Sequence, residues 1–455
     1  MQRAFERALG EVLARVFVCA PDSPRRLGVA LSGGLDSTVL LHLASRYAAE
    51  HGVVLHAFHV HHGLSPNADA WEAHCRREAQ RCGIAFASRR VEVDRNDKRG
   101  VEEAARIARY AALGDMCRAS GVGLLLAAHH RDDQAETVLL QLMRGAGLPG
   151  LSGMAACQLQ HELLGEGVAL GRPLLGIARA QLEIASRSAS LIHVSDESNT
   201  DTRYRRNALR HEISPLIETH FPGFGALVAR SASHAQSAQG LLHELAMIDL
   251  ETCKADALGA TLQLSALRQL SNDRADNLLR HWLYRQGVKL PSTSRLDEIR
   301  GQMLDAQADT HPFFDFGDMS LHRIGMRLEL HPRAGASPEE PIGLRWAGEP
   351  EIAVPQWRGR MLFEMTPGAG LDPTALRGAA LTLCARRGQE RLKLADNRPS
   401  KSLKSLFQEA SVAAWQRKWL PLLYLDDHLV FAAGLGMDVR HFRTMPGVVL
   451  RWIPD

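Results

Sequence analysis

The chain has 455 residues, 45% apolar and 23% charged, with a formal net charge of +3. That length exceeds a single core, so two or three domains are expected. No apolar run approaches the ~20 residues of a membrane span, and the amphipathic first ten residues carry no signal core. Seven scattered cysteines without a Cys-x-x-Cys pair argue against a disulfide framework or thiolate metal cage; a cytoplasmic protein with no membrane partner is expected.

The first third alternates strand and helix. Residues 27–31 form an apolar run ending in glycines, and 37–50 have helical spacing. Residues 53–60 predict a strand, 67–81 a helix, 84–93 a strand and 101–119 a helix. A last apolar strand, 124–128, precedes a helix over 132–143. This βαβα order predicts an α/β fold, an N-terminal doubly wound parallel sheet with ligands beyond the carboxyl ends of its strands. Long helical patterns follow over 226–250 and 266–286, then a hairpin over 315–330 and a Pro/Gly-rich linker over 332–341. Short strands (380–385, 428–431, 448–452) flank a helix near 401–408. The expected organisation is a catalytic domain over 1–222, a small helical domain over 223–333 and a small mixed α/β domain over 350–455.

Chemistry first shows in Ser32-Gly33-Gly34-Leu35-Asp36-Ser37, between a strand and a helix. Backbone N–H groups at a helix N-terminus suit phosphate; glycines permit close approach and the serines add donors. Asp36 would repel a bare phosphate and makes sense with Mg²⁺ between them. No Walker lysine follows. A capped tight turn is the plain alternative.

Further along, His59-Val60-His61-His62 ends the second strand. Its alternating spacing favours nucleotide or backbone contacts over metal ligation. Glu102, Arg106, Arg109 and Tyr110 neighbour one another on a helix, which could equally be a solvated, salt-bridged face. In Ala128-His129-His130-Arg131-Asp132-Asp133-Gln134-Ala135-Glu136-Thr137, Asp133 and Glu136 share one helix face and Asp132 reads as its N-cap. The carboxylate pair can hold an amine or a metal ion, or take up a proton. A capped helix with surface acids is the alternative.

The glycine loop resembles the pyrophosphate loop of the adenine-nucleotide α-hydrolase-like ATPases. With the His-Val-x-His-Gly-Leu, Glu-x-x-Ala-Arg-x-x-Arg-Tyr and His-His-x-Asp-Asp-Gln-x-Glu-Thr segments, Arg172-Pro173-Leu174-Leu175, Asp196-Glu197-Ser198-Asn199 and Tyr204-Arg205-Arg206-Asn207-Ala208-Leu209-Arg210-His211, the first 220 residues closely resemble the tRNA(Ile)-lysidine synthases. The resemblance implies a ligase that joins free L-lysine to carbon 2 of the wobble cytidine in isoleucine tRNA bearing a CAU anticodon. The route runs through an adenylated cytidine and gives lysidine, AMP and pyrophosphate. It implies ATP and Mg²⁺ as cofactors, a tRNA partner and a monomer or homodimer.

Residue by residue, it puts Ser32, Gly33, Gly34, Leu35, Asp36 and Ser37 on the pyrophosphate, Asp36 on Mg²⁺, and His59 and His129 at the nucleotide. Asp133 and Glu136 would orient the lysine, and Arg109 would stabilise developing charge. Arg205, Arg206 and Arg210 would meet tRNA or nucleotide phosphates. The segment from Lys401 to Leu422 resembles the family's tRNA-binding end domain. Between residues 386 and 418, nine Lys/Arg face three acids, so Lys401, Lys404 and Arg417 are expected on the tRNA backbone. A tRNA thiolase of the same superfamily is disfavoured by the absence of a Cys-x-x-Cys pair.

Overall fold

The computed structural model describes residues 1–17, 26–94, 96–97, 100–195, 201–306, 312–332, 338, 340–410, 412, 416–443 and 445–454. The chain divides into two compact units, Met1–Glu244 and Leu245–Asp455. The Asp196-Glu197-Ser198-Asn199 segment lies outside the described residues, as does most of the 332–341 linker.

The first unit is built on a six-stranded sheet. Helix α1 (Gln2–Val16) precedes β1 (Arg26–Ala30), α2 (Leu35–His51), β2 (Val54–His61), α3 (Ala68–Arg81), β3 (Ala85–Arg90) and α4 (Val101–Ala119). Then come β4 (Leu124–Leu126), α5 (Arg131–Leu142), α6 (Leu148–Leu151), β5 (Cys157–Gln158), β6 (Ala169–Gly171) and α7 (Arg179–Ser188). The strand order is β3-β2-β1-β4-β6-β5. All pairings are parallel except β5 with β6. The alternation read from the sequence is therefore a parallel sheet whose order reverses between β1 and β4, and ligands bind such sheets at that reversal.

Why the strands are central is visible in their composition. Leu124, Leu125 and Leu126 are fully buried, as expected for a strand covered on both faces. Helix α1 contributes a stripe of Phe5, Leu9, Val12 and Leu13 to one layer of core, beside Val29, Leu40 and Leu174. On the other face, Tyr110, Leu113 and Cys117 of α4 pack with Phe58 and Leu125. Burying each large side chain contributes ~1.5–3 kcal/mol. At Gly114 of α4 the helix meets a neighbouring loop backbone; a Cβ there would lie 2.0 Å from the Leu164 carbonyl oxygen.

The C-terminal part of the first unit is helical: α8 (Arg205–Ala208), a π-helical turn (Leu209–Ile213), α9 (Ser214–His220) and the start of α10 (Phe224–Cys253), which runs past Glu244 into the second unit. In the second unit the helical pattern expected over 266–286 breaks into Leu264–Leu267 and Asn272–Arg285. Ser271 caps the second piece by accepting from the Arg274 N–H, which explains the break. These helices and Thr293–Asp305 pack around Trp282 against a four-stranded antiparallel sheet. Residues 342–454 form a five-stranded, a three-stranded and a small two-stranded antiparallel sheet, the first two sharing a core of Trp346, Met361, Phe363, Leu383 and Phe431. Among the described residues no helix is long and apolar enough to cross a membrane.

Candidate functional site

The loop after β1 and the loop after β4 flank the reversal in strand order. Gly33 has φ +88°, a left-handed conformation that disfavours any side chain, and a Cβ there would sit 3.0 Å from Cys75 Sγ and 3.1 Å from Val194 Cγ2. Gly34 is the N-cap of α2 in an extended conformation. The loop is braced by hydroxyls: Ser37 Oγ donates to the Gly34 carbonyl (3.0 Å) and lies 3.0 Å from Ser32 Oγ. Thr38 Oγ1 donates to the carbonyls of Gly33 and Gly34. Ser32 is exposed at the loop's crest and Leu35 is half-buried.

Asp36 stands in the first turn of α2. Its Oδ1 is buried without a hydrogen-bond partner. Burial raises its pKa above the ordinary carboxylate value, although His130 and Arg179 act in the opposite direction.

The N-cap of α5 is His130, where the sequence pointed to Asp132. The His130 ring accepts from the Asp133 N–H, and Asp133 Oδ2 accepts from the His130 N–H at 3.0 Å, closing a reciprocal capping box. Asp132 sits inside the first turn, and its Oδ2 accepts instead from the Arg179 N–H of α7 at 2.9 Å. His130 Nε2 lies 3.3 Å from Asp133 Oδ2 and 3.7 Å from Asp36 Oδ2. Burial lowers the His130 pKa, but Asp132, Asp133 and Asp36 outweigh it and raise the value above the usual histidine range. One imidazole thus joins the phosphate-type loop to the α5 carboxylates.

Asp133 and Glu136 are both buried and share the face that the three-residue spacing implied. All four of their carboxylate oxygens are engaged. Arg206 donates to Glu136 Oε2 (2.8 Å) and Asp133 Oδ1 (3.0 Å). Arg210 donates to Glu136 Oε1 (2.7 Å), Glu136 Oε2 (2.9 Å) and Asp133 Oδ1 (2.8 Å). Burial works against the Asp133 carboxylate, yet His130 and Arg206 bring its pKa below the ordinary value. Two of the three arginines expected on phosphates therefore face carboxylates here. Arg205, the third, is exposed on α8.

His59 is buried, and its Nδ1 meets the Leu31 carbonyl at 2.8 Å; it ties β2 to the end of β1, just before the loop. His61 pairs with Asp69 at 3.1 Å. His129 is half-buried at the end of β4, and burial with the nearby Arg172 guanidinium lowers its pKa to about 3. Arg109 lies at the rim with its side chain solvent-exposed, 5.7 Å from the Tyr110 ring centre; the surrounding protein lowers its pKa, with Arg106 and Arg206 adding to the effect. Among the described residues, no cluster of three His, Cys, Asp or Glu side chains forms a metal cage.

In the second unit, Lys401 is ion-paired with Glu409 at 2.7 Å, and Arg417 Nε donates to the Val412 carbonyl at 2.8 Å. Lys404 is exposed on the helix Leu403–Glu409. Sequence reasoning missed His130 as a cap, and it quoted Arg172, which is buried beside His129, only within the Arg172-Pro173-Leu174-Leu175 segment and gave it no role. The second carried a signal, a basic residue in an otherwise apolar stretch at a strand end.

Comparison with known proteins matches three family domains in chain order: a PP-loop domain over residues 1–217, a TilS substrate binding domain over 262–328 and a TilS substrate C-terminal domain over 381–452. A tRNA(Ile)-lysidine synthase of Ralstonia nicotianae is 43% identical, covering 98% of this chain and 97% of its own. That of Burkholderia pseudomallei is 41% identical over 95% and 93%, and that of Nitrosomonas europaea 38% over 94% and 92%. A U34-tRNA thiolase from Methanococcus maripaludis, solved with its iron–sulfur cluster, superposes with a TM-score of 0.40 at 18% identity, over 50% of this chain and 80% of that one. Identity of this level along almost the whole chain, with every domain in its place, makes the protein a member of the tRNA(Ile)-lysidine synthase family.

Proposed function

We propose that the protein ligates free L-lysine to carbon 2 of the wobble cytidine in the CAU anticodon of an isoleucine tRNA, consuming ATP. The observation that carries this reading is the contact chain from Asp36 through His130 to Asp133, at 3.7 and 3.3 Å. It sets a loop built for phosphates beside carboxylates suited to an amine. The relatives' name specifies an isoleucine tRNA and the product lysidine, and both are carried to this chain on that likeness.

The reaction has two halves. The cytidine O2 attacks the α-phosphorus of ATP; the P–O bond to pyrophosphate breaks and an O2-adenylated cytidine forms. The lysine ε-amine then attacks carbon 2, the C2–O bond breaks, and AMP leaves with that oxygen. In the first half, Ser32, Gly33, Gly34, Leu35, Asp36 and Ser37 bind the departing pyrophosphate at the α2 N-terminus. Asp36 fits a Mg²⁺ held mainly by ATP oxygens, because its Oδ1 is buried and unpartnered; such an ion neutralises phosphate charge. His59 and His129 shape the nucleotide's floor as neutral rings. Arg109 supports the negative charge that develops on the adenylate.

In the second half, Asp133 and Glu136 orient the lysine ammonium, which must lose a proton before its amine can attack. The ammonium competes there with Arg206 and Arg210, and those guanidiniums with Arg205 supply the nearby phosphate contacts. Lys401, Lys404 and Arg417 give the second unit a basic surface for tRNA.

The test is mass analysis of the wobble nucleoside after incubation with ATP, Mg²⁺, lysine and the CAU-bearing isoleucine tRNA. Lysidine should accumulate with equal AMP and pyrophosphate. ATP–pyrophosphate exchange that ignores this tRNA but responds to a small metabolite overturns the reading.

A further inference from the structure

Arg172 follows β6 at the carboxyl edge of the sheet, and the reaction described above gives it no task. It is 5% exposed. Its backbone N–H donates to the Ala156 carbonyl and its NH1 to the Ala155 carbonyl, both at 2.8 Å. Its Nε is buried with no partner. Around it stand Tyr110, Arg106 and His129. The Arg106 guanidinium lies 4.9 Å from the Tyr110 ring centre, and the His161 ring stacks on Tyr110 at 4.6 Å.

The charge here is mostly of one sign, with Glu102 of α4 acting on Arg109 from a distance. Arg206 and Arg210 are matched by carboxylates, whereas no carboxylate hydrogen-bonds or ion-pairs with Arg106, Arg109 or Arg172 among the described residues. Two imidazole nitrogens at the same place, Nδ1 of His129 and Nδ1 of His161, are likewise buried and unpartnered. Burial lowers the pKa of Arg172 and brings His161 to about 4, so the rings are neutral while the guanidiniums stay charged. A buried cation without a counter-ion, as Arg172 is, is expensive to keep. A planar guanidinium fork suits one kind of counter-ion especially, a phosphate oxyanion.

We infer that Arg172, with Arg106 and Arg109 at its rim, forms a seat for a phosphate oxyanion at the end of β6. The inference rests on the tRNA reading above for the source of that phosphate. β6 lies two strands from β1 in the sheet order, roughly 10 Å across at normal strand spacing. ATP phosphates held by the loop after β1 therefore leave this seat for another group. The RNA backbone beside the reacting nucleotide supplies one.

The experiment compares the full-length enzyme with Arg172→Gln, Arg172→Lys and Arg106→Gln. Affinity for the CAU-bearing isoleucine tRNA is measured by anisotropy across a salt series, and Mg·ATP affinity by equilibrium dialysis. For the Gln variants, tRNA affinity at low salt should fall about tenfold and the log–log salt slope should shrink by about 0.7–0.9, the loss of one phosphate contact. Mg·ATP affinity should hold. Arg172→Lys should keep the slope while losing affinity, because charge remains and the fork does not. Weakened Mg·ATP binding with unchanged tRNA binding assigns the seat to a nucleotide phosphate. Unchanged binding of both overturns the seat, even where wild-type enzyme makes lysidine. If Arg172→Gln fails to fold, Arg106→Gln and Arg172→Lys decide the matter by the same readouts.

Discussion

Replacing Asp36 with Asn should make the ligand-free protein more stable and the enzyme inactive. Two effects oppose each other at this carboxylate. A negative charge in the first turn of α2 is favoured by ~0.3–1 kcal/mol. Against that, leaving a buried polar group without a partner costs ~1–3 kcal/mol, more when it is charged, and Asp36 Oδ1 is such an atom. The raised pKa of Asp36 says that burial wins. A carboxyl whose folded pKa lies above its unfolded value lowers stability once both states are ionised, so at neutral pH the amide relieves a burden. A net gain of ~1 kcal/mol moves the melting temperature of a unit this size by about 2–4 °C. Mg·ATP at a hundred times its dissociation constant should add ~2.7 kcal/mol to wild type and little to the variant, so the order of melting temperatures reverses on adding nucleotide. Calorimetry with and without Mg·ATP, alongside pyrophosphate release, reads both effects. A variant that melts lower without nucleotide, or one that turns over normally, refutes the reasoning.

Glu136→Gln should raise the KM for lysine and also destabilise the fold by ~3 kcal/mol, because Arg206 and Arg210 lose half of their buried partner charge; denaturant titration and lysine-dependent kinetics check the two separately. Gly33→Ala should weaken Mg·ATP binding at least tenfold, since the backbone is left-handed there and the new methyl meets Cys75 and Val194; unchanged dialysis would show a loop freer than described. Neutralising Lys401, Lys404 and Arg417 together should reduce the salt slope of tRNA binding, with an unchanged slope placing the RNA elsewhere. His322, buried beside His331 and held neutral with a pKa of about 4, charges more readily unfolded than folded. Stability should therefore fall as pH drops from about 6.5 towards 4, and His322→Phe should flatten that fall in denaturant titrations at pH 7 and pH 5.

Much of the site was legible because its parts are local. The glycine loop announces itself by residue type between a strand and a helix, and the Asp133/Glu136 face follows from helical spacing alone. What joins the parts was not legible. Asp36 and His130 are 94 positions apart, and nothing in either segment says that an imidazole will stand between their carboxylates. An imidazole at an N-cap is also unusual beside an Asp that could fill the role. The carboxylate partners of Arg206 and Arg210 lie 70 or more positions upstream, so nothing in the basic run itself shows that these guanidiniums face carboxylates. β5 and β6 have two and three residues, too short for any periodicity, and the edge of the sheet that carries Arg172 stayed invisible with them.

Gly114 gives that edge its dimensions. It lies one turn beyond Tyr110 on α4, and the loop backbone it touches at Leu164 is the loop that carries His161. Arg118, one turn further, grips the same Leu164 carbonyl at 2.6 Å. The missing side chain therefore acts as a spacer of zero thickness: it sets how near the helix and loop lie and so keeps two aromatic rings in register. A methyl group at position 114 would push them apart by more than an ångström, though it touches no ligand, no ion pair and no reacting atom. Damage there would look like a catalytic defect, and its origin would be a matter of tolerances on the far side of the helix.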